Sequence, residues 1–321
     1  ETTKMLLARR LACTPVHRCL STLSPAVPKF ETVACVGLGL MGHGIAQSAA
    51  QHNFKVVAFE QEQRFLDSGR SRIEGSLGKM LKREKITQEQ YDGVLSNITY
   101  TTDINDLADS DLVVEAVIEN MDLKKDIYSA LGSTCKPEAI FASNTSSLSI
   151  TEMALVSGRP ERFVGVHFFN PVQMMKLVEV VETEHTHPDV FEASKAWVGD
   201  INKIAVSCGD TPGFIVNRLL VPFLTQALLM VDRGDASIKD IDISMQLGAG
   251  HPMGPLHLAD YIGLDTINNI ITGWVEKFPD EPAFVTPDCL TEKIKAGDLG
   301  RKTGKGFYHW GEGDKRGDPV E

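Results

Sequence analysis

The sequence predicts an α/β fold, with a Rossmann-type, mainly parallel sheet domain followed by a smaller all-α domain. Three observations lead to this prediction. Short β-branched runs alternate with longer helical patterns up to residue 209, as in parallel sheets with crossover helices. A glycine-rich turn at 37–42 lies directly between the first such run and the first helix. Past Asp210 the strand signals stop, and helical patterns follow.

The chain has 321 residues, of which 42% are hydrophobic, so it can bury a large core and is long enough for about two domains. We place the sheet domain at 29–209 and the helical domain at 210–311, followed by a polar tail at 312–321 with no core to join. The formal net charge is −11. Because an acidic protein repels phosphates, no nucleic-acid partner is expected.

The first residues differ in composition from the rest of the chain. No acidic residue lies between Glu1 and Glu31, and the stretch carries five basic residues: Lys4, Arg9, Arg10, Arg18 and Lys29. This composition is typical of a mitochondrial transit peptide. We therefore expect residues 1–28 to be a presequence and the protein to reside in the mitochondrial matrix. A disordered basic tail is the alternative.

Seven apolar runs predict the strands of the sheet. Each is short and rich in β-branched residues, as buried strands of parallel sheets are. The last two are expected to extend the same sheet. The runs cover residues 33–36, 56–59, 112–117, 140–142, 163–167, 177–181 and 204–208.

The helical domain is predicted to open with a long apolar helix. Pro212 can start a helix, residues 214–231 are apolar on most faces, and Gly234 ends the run. The run is long enough to cross a bilayer, but Asn217 and Arg218 interrupt it. We therefore expect it to be buried in a core or in a homodimer interface and predict no membrane span.

The glycine-rich turn predicts a dinucleotide site. Gly37, Gly39 and Gly42 form the Gly-x-Gly-x-x-Gly pattern between a strand and a helix, where glycine permits a tight turn and close approach of a pyrophosphate. Glu60 ends the second strand, where a carboxylate accepts ribose hydroxyls and repels a 2′-phosphate. We therefore predict NAD rather than NADP. The expected contacts are Gly37, Leu38, Gly39, Leu40, Met41, Gly42 and Glu60.

A candidate acid–base pair lies near the end of the sheet. Oxidation of an alcohol needs a base for the hydroxyl proton, and neutral histidine suits this role near pH 7. His167 ends a predicted strand, where open α/β sheets bind ligands, and Glu179 on the next strand could orient it. Spacing alone leaves open that both are ordinary structural residues.

From about residue 32 to residue 309 the chain resembles the L-3-hydroxyacyl-CoA dehydrogenases of fatty-acid β-oxidation. The blocks that match, in the order of that family, are VGLGLMGHGIAQ, VVEAVIEN, FASNTSSLSIT, HFFNPVQMMKLVEVV, DTPGFIVNRLL, DRGDASIKDID, LGAGHPMGP and RKTGKGFY. The resemblance implies NAD-dependent oxidation of L-3-hydroxyacyl-CoA to 3-oxoacyl-CoA by a homodimer.

The resemblance also implies roles for single residues. His167 is expected to be the base and Glu179 its orienting partner, while Ser146 and Asn217 hydrogen-bond the substrate oxygens. Residues expected along the cofactor are Glu119, Lys124, Ser146, Asn170 and Lys302. Ser76 and Ser146 are expected to contact coenzyme A. Where the family places a lysine on a coenzyme A phosphate this chain has Arg83, with Lys82 as a neighbouring alternative. Glu60 replaces the usual aspartate.

Three other functions compete with this interpretation. The β-hydroxyacid dehydrogenases share the GLGxMG turn but use a lysine in the helix linking the domains, and this chain has no lysine between Lys203 and Lys239. The sugar-acid dehydrogenases related to lambda-crystallin lack the HFFNP stretch. A non-catalytic scaffold that binds NAD could lose its base, whereas here the four predicted site residues are present.

Overall fold

The computed structural model describes residues 29–313 and 315–320. The predicted presequence, residues 1–28, lies outside the described residues. Eight strands form the main sheet: β1 (Thr32–Val36), β2 (Lys55–Phe59), β3 (Ile98–Thr101), β4 (Leu112–Glu115), β5 (Ile140–Ser143), β6 (Phe163–Phe168), β7 (Leu177–Glu182) and β8 (Ile204–Gly209). Seven of them correspond to the predicted runs. Strand β3 was missed because its sequence, ITYT, has a single aliphatic residue and no apolar run.

The strand order is β3-β2-β1-β4-β5-β6-β7-β8. Neighbouring strands are parallel except β6 and β7, which are antiparallel. The chain moves outward from β1 to β3 and then crosses to β4 on the other side of β1. The turn after β1 therefore lies at a topological switch point, where such sheets bind ligands.

Helices cover both faces of this sheet: α1 (Gly42–Gln51), α2 (Gln63–Lys82), α3 (Gln88–Ser96), α4 (Met121–Thr134), α5 (Ile150–Val156) and α6 (Pro188–Asp200). One core packs side chains of α1, α2 and α6 against the sheet, with Ile45, Ile73 and Trp197 buried. The core on the other face includes Tyr128 of α4, Met153 of α5 and Phe214.

The second domain consists mainly of helices: α7 (Val216–Asp232), α8 (Ile238–Ala249), α9 (Pro255–Ile262), α10 (Leu264–Lys277) and α11 (Asp288–Ala296). Helix α7 begins after Pro212 because Gly213 and Phe214 are left-handed, with φ of +77° and +53°. No helix among the described residues is long and apolar enough to cross a membrane.

The end of the chain is more ordered than the predicted polar tail. Strands β9 (Tyr308–Gly311) and β10 (Lys315–Pro319) pair in antiparallel fashion. The buried carboxylate of Asp260 anchors this hairpin by accepting the amides of Phe307 and Tyr308 at 2.8 and 2.9 Å. Strand β10 was missed because it is almost wholly polar and exposed. It forms by pairing with β9 and carries no hydrophobic pattern that the sequence analysis could detect.

Candidate active site

The turn after β1 has the backbone geometry of a dinucleotide cradle. Gly37 has φ of +90° and its amide donates to Phe59 at 2.9 Å. A Cβ atom at Gly42 would lie 1.8 Å from the Gly37 carbonyl oxygen, whereas one at Gly39 would meet nothing within 4 Å. Gly42 is therefore needed for packing, and Gly39 leaves an open space in front of α1. Because the amino-terminal end of a helix favours an anion, the open space before α1 fits a pyrophosphate.

Glu60 lies beside this turn. Its Oε1 atom accepts a hydrogen bond from the Leu38 amide at 2.6 Å. Leu40, in the middle of the turn, is 60% exposed. The structure thus places the predicted ribose acceptor at the rim of the glycine-rich cradle.

His167 and Glu179 are directly opposite residues in the antiparallel β6–β7 ladder. The His167 Nδ1 atom lies 2.7 Å from Oε2 of Glu179, and both side chains are buried. The second oxygen of Glu179, Oε1, accepts hydrogen bonds from the amides of Ile215 and Val216 at 3.0 and 2.8 Å. One carboxylate therefore joins the candidate base to the first turn of α7.

These contacts keep the Glu179 carboxyl ionised. Burial by itself raises its pKa, but the hydrogen bonds from His167 and the Val216 amide outweigh burial and hold the pKa below its ordinary value. An ionised carboxylate on Nδ1 orients the imidazole and can stabilise a positive charge on it.

Two aromatic rings flank the imidazole. The ring of Phe169 lies 4.5 Å from that of His167, and the ring of Phe214 lies 5.6 Å away, between centroids. Phe214 is buried in its left-handed conformation. The rings pack against the imidazole, and because Nδ1 is occupied by Glu179, Nε2 is the nitrogen that can serve as proton acceptor.

Ser146 lies on the loop between β5 and α5 and is held by Glu119. The Glu119 Oε1 atom accepts the Ser146 amide at 2.8 Å, and the Ser146 and Thr145 hydroxyls lie at 3.3 and 2.6 Å. Burial raises the pKa of the Glu119 carboxyl, but Lys124 and these hydrogen bonds outweigh it and lower the pKa. Glu119 is therefore anionic beside the candidate substrate contact.

Lys124 is only 1% exposed and bridges two carboxylates, with Nζ 2.5 Å from Glu115 and 3.2 Å from Glu119. Glu115 also accepts the Ser143 hydroxyl at 2.7 Å. The sequence interpretation missed Glu115, although an acidic residue inside the apolar run VVEAV is a signal that could have revealed it. Lys124 thus holds Glu119, the carboxylate that accepts the Ser146 amide.

Asn217, at the start of α7, meets this loop from the other domain. Its Nδ2 atom lies 3.5 Å from the carbonyl oxygen of Ser146. Asn144 ties the same loop to β6, because its Oδ1 atom accepts the Phe168 amide at 2.9 Å. Asn170 is exposed just beyond β6. The structure thus brings Ser146 and Asn217 together at one loop.

Two of the predicted coenzyme A contacts, Ser76 and Arg83, lie on α2 and at its carboxyl end. Ser76 is half-buried, and Arg83 is exposed and caps the carboxyl end of the helix. Met80, between them, lies 3.9 Å from Nε2 of Gln47, whose Oε1 accepts a hydrogen bond from Gln173 at 3.1 Å. Helix α2 is therefore linked through α1 to the loop after His167.

Lys302 is placed apart from the other predicted cofactor residues. It forms an ion pair with Asp265 at the start of α10. The next residue of that helix, Thr266, lines a cavity of about 820 Å³ between the two domains. Glu119 and Ser146 of the sheet domain also line this cavity.

Two family models match the chain. Residues 32–211 match the family described as 3-hydroxyacyl-CoA dehydrogenase, NAD binding domain. Residues 213–310 match 3-hydroxyacyl-CoA dehydrogenase, C-terminal domain. The chain belongs to the 3-hydroxyacyl-CoA dehydrogenase family. This confirms three predictions made from the sequence: the family, the α/β fold and the activity of an NAD-dependent dehydrogenase of 3-hydroxyacyl-CoA. The family decides against the hydroxyacid and sugar-acid alternatives.

Individual proteins resemble this 3-hydroxyacyl-CoA dehydrogenase over most of their length. It is 46% identical over 284 residues to hydroxyacyl-coenzyme A dehydrogenase, mitochondrial, of Rattus norvegicus, covering 87% of this chain and 90% of that protein. It is 46% identical over 275 residues to a probable 3-hydroxybutyryl-CoA dehydrogenase of Deinococcus radiodurans, covering 86% and 98%. The crystal structure of (S)-3-hydroxybutyryl-CoA dehydrogenase from Ralstonia eutropha matches with a TM-score of 0.85 at 38% identity, covering 88% of this chain and 100% of that one.

Proposed function

We propose that this dehydrogenase oxidises the 3-hydroxyl group of L-3-hydroxyacyl-CoA in fatty-acid β-oxidation with His167 as general base and Glu179 as its orienting partner. The observation that carries the proposal is the buried contact of 2.7 Å between His167 Nδ1 and Glu179 Oε2, which leaves Nε2 as proton acceptor. NAD, bound in the sheet domain, would supply the acceptor for the hydride that leaves the 3-carbon. A non-catalytic scaffold has no need of such an aligned pair.

The remaining residues orient the substrate. The Ser146 hydroxyl and the Asn217 amide hydrogen-bond the substrate oxygens, so that the 3-hydroxyl proton points at His167. Their placement is supported by the approach of Asn217 Nδ2 to the Ser146 carbonyl at 3.5 Å. Glu179 stabilises the imidazolium that forms as the proton moves. In the reverse direction the same imidazolium returns the proton to a 3-oxo group.

The cofactor is held by the sheet domain, residues 29–209. The glycine turn receives the pyrophosphate, and Glu60 accepts the adenosine ribose hydroxyls. Glu119, Ser146 and Asn170 line the nicotinamide end. Lys124 acts through Glu119, since its ammonium group is buried between two carboxylates. Lys302 reaches the cofactor from the helical domain, residues 210–311, across the cavity between the domains.

Coenzyme A binds along α2, with Ser76 on the pantetheine or nucleotide portion and Arg83 on a phosphate. The exposed position of Arg83 among Lys79, Lys82 and Lys85 supports this, because a cluster of cations supplies a local positive field on an acidic protein. Lys82 is the alternative phosphate contact.

The helical domain also forms a homodimer interface. Apolar side chains are exposed on two of its helices, with Leu219 of α7 at 69% and Leu247 of α8 at 83% exposure. A second copy would cover them. Light scattering at micromolar concentration should give twice the mass of one chain, and a monomer mass would contradict the proposal.

We place the protein in the mitochondrial matrix, with residues 1–28 as transit peptide. The composition of this segment and the mitochondrial relatives support the location. Expression of the full chain and of a chain beginning at residue 29, each fused to a fluorescent protein, tests it. Equal distribution of the two fusions would rule out the presequence.

The activity is tested by NADH consumption with acetoacetyl-CoA, medium-chain 3-oxoacyl-CoA thioesters and the corresponding free 3-oxo acids. Thioesters should be reduced, and free acids should react far more slowly because they lack the coenzyme A contacts. Replacement of NADH by NADPH should lower the rate. Equal rates with the free acids would contradict a coenzyme A thioester as the substrate.

A further inference from the structure

Asp210 lies between β8 and α7, and the proposed reaction gives its carboxylate no role. It follows β8 and opens the connection to α7. Its Oδ2 atom accepts the Ser149 hydroxyl at 2.9 Å and the Thr151 amide and hydroxyl at 2.8 and 2.7 Å, and its Oδ1 atom lies 3.1 Å from the Ile150 amide. Since the first N–H groups of a helix lack partners within it, this carboxylate fixes where α5 begins.

The loop that ends at Ser149 is the one that carries Ser146. Glu119 holds the Ser146 amide at 2.8 Å, and Asp210 holds Ser149 three residues later. The carboxylates of Glu119 and Asp210 thus hold the two ends of the short segment from Ser146 to Ser149. These contacts fix the backbone of the Ser146 loop relative to the sheet domain.

The connection that Asp210 opens also contains the other half of the site. The amides of Ile215 and Val216 donate to Glu179, which holds His167. Asn217 follows directly and lies 3.5 Å from the Ser146 carbonyl oxygen. The connection therefore contacts the Ser146 loop through Asp210 at its start. At its end, the amides of Ile215 and Val216 contact the carboxylate that holds the base.

We propose that Asp210 is a positioning residue for the dehydrogenase reaction. Asp210 fixes the Ser146 loop relative to the connection that leads to Asn217. Glu179 fixes His167 relative to the end of the same connection. The three groups that meet the 3-hydroxyl are aligned by these two carboxylates. The inference rests on the proposed function, because it takes Ser146 and His167 as substrate contacts.

The test is kcat/KM for acetoacetyl-CoA in Asp210→Asn. A displacement of Ser146 by about 1 Å should lower kcat/KM by roughly 10- to 100-fold. NADH affinity and the pH dependence of kcat/KM should stay as in wild type, since neither the glycine turn nor the His167–Glu179 pair changes. The matched control is Asp111→Asn, which removes a carboxylate that accepts the Glu31 and Thr32 amides at 2.8 and 2.9 Å. The control should lower Tm without lowering kcat/KM.

A double-mutant cycle with Ser146→Ala separates positioning from general loss of structure. If Asp210 acts through Ser146, Asp210→Asn should cost little more once the Ser146 hydroxyl is gone. The same fold-loss in both backgrounds, or wild-type kcat/KM in Asp210→Asn, would overturn the inference. Normal activity of Ser146→Ala alone would instead overturn the proposed role of Ser146.

A milder variant covers the case in which Asp210→Asn does not fold. Thr151→Val removes one donor to Asp210, the hydroxyl at 2.7 Å, and keeps the shape of the side chain. It should lower kcat/KM by a smaller factor, roughly 2- to 10-fold for one hydrogen bond, and again only when Ser146 is present. A loss that is independent of Ser146 would contradict the positioning role.

Discussion

The Nδ1 atom of His167 lies 2.7 Å from Oε2 of Glu179, and the two residues face each other across an antiparallel pair of strands. Directly opposed residues project to the same face of a sheet, so strand register alone brings the imidazole and the carboxylate together. The other oxygen of Glu179 holds the start of α7. The base is thereby fixed to both domains.

Replacement of His167 by glutamine should remove the proton acceptor and leave the glycine turn intact. We expect kcat to fall by roughly 10²- to 10⁴-fold, the usual contribution of a general base. NADH affinity, measured by fluorescence titration, should be nearly unchanged. His187→Gln is the control, because His187 is an exposed helix cap of α6. Near-normal turnover in a folded His167→Gln protein would show that another group takes the proton.

Replacement of Glu179 by glutamine tests the pair itself. Glutamine keeps the shape but loses the charge that stabilises an imidazolium, and a similar change in another histidine–carboxylate pair costs about 10⁴-fold. We expect a loss of roughly 10²-fold or more on that basis. In the His167→Gln background the same change should cost little more, because the two side chains act as one unit. Additive losses in this cycle would mean that they act separately.

The pair shows how far the sequence alone could lead. The apolar runs predicted both strands, and the family resemblance supplied the roles of His167 and Glu179. What periodicity could not supply is the antiparallel direction of β7, on which the contact depends. Strand direction depends on the connection between the strands and on the rest of the sheet, so a six-residue run alone does not reveal it.

Replacement of Glu60 by arginine should weaken NAD binding and strengthen NADP binding. Arginine removes a ribose acceptor and offers a partner for a 2′-phosphate. The ratio of kcat/KM for NADH and NADPH measures the switch, with Glu62→Arg at the start of α2 as a control. An unchanged ratio in Glu60→Arg would show that Glu60 does not contact the ribose.

Two glycines of the same turn should respond differently to alanine. At Gly39 a Cβ atom meets no protein atom within 4 Å, whereas at Gly42 it would lie 1.8 Å from a carbonyl oxygen. Gly39→Ala should therefore keep the Tm of wild type but lose NADH affinity, because the methyl group fills the space for the pyrophosphate. Gly42→Ala should lower Tm as well. Full NADH affinity in Gly39→Ala would place the pyrophosphate elsewhere.

Lowering the pH should remove the contribution that the Glu119 carboxylate makes to the stability of the fold. Its folded pKa is depressed below the ordinary value of 4.5, so its contribution to stability is complete above that pH and is lost as the pH falls through the folded pKa. Wild type should exceed Glu119→Gln in Tm at pH 7, and the gap should narrow below about pH 4.5. Glu138→Gln, at an exposed site, should match wild type at both pH values. A gap that is constant with pH would exclude this linkage.

Other parts of the site could not be predicted from sequence patterns. Asp210 belongs to a matching block, but its partners at the start of α5 are some 60 residues away in the chain. Glu115 stands out as an acidic residue in an apolar run, but its contacts with Lys124 and Ser143 do not follow from that run. Both carboxylates act through contacts that only the folded chain creates, whereas the glycine turn is local, and its position between β1 and α1 was predicted.

The antiparallel register of β6 and β7 also bears on how such an enzyme can be redesigned. Shifting β7 by one residue would place a valine, Val178 or Val180, opposite His167 and turn Glu179 to the other face. The proton-accepting pair thus belongs to the sheet, whereas Ser146, Asn170 and Arg83 lie on loops and a helix end. Exchange of the helix end that carries Arg83 should change how tightly the coenzyme A portion is bound and leave the underlying acid–base chemistry in place.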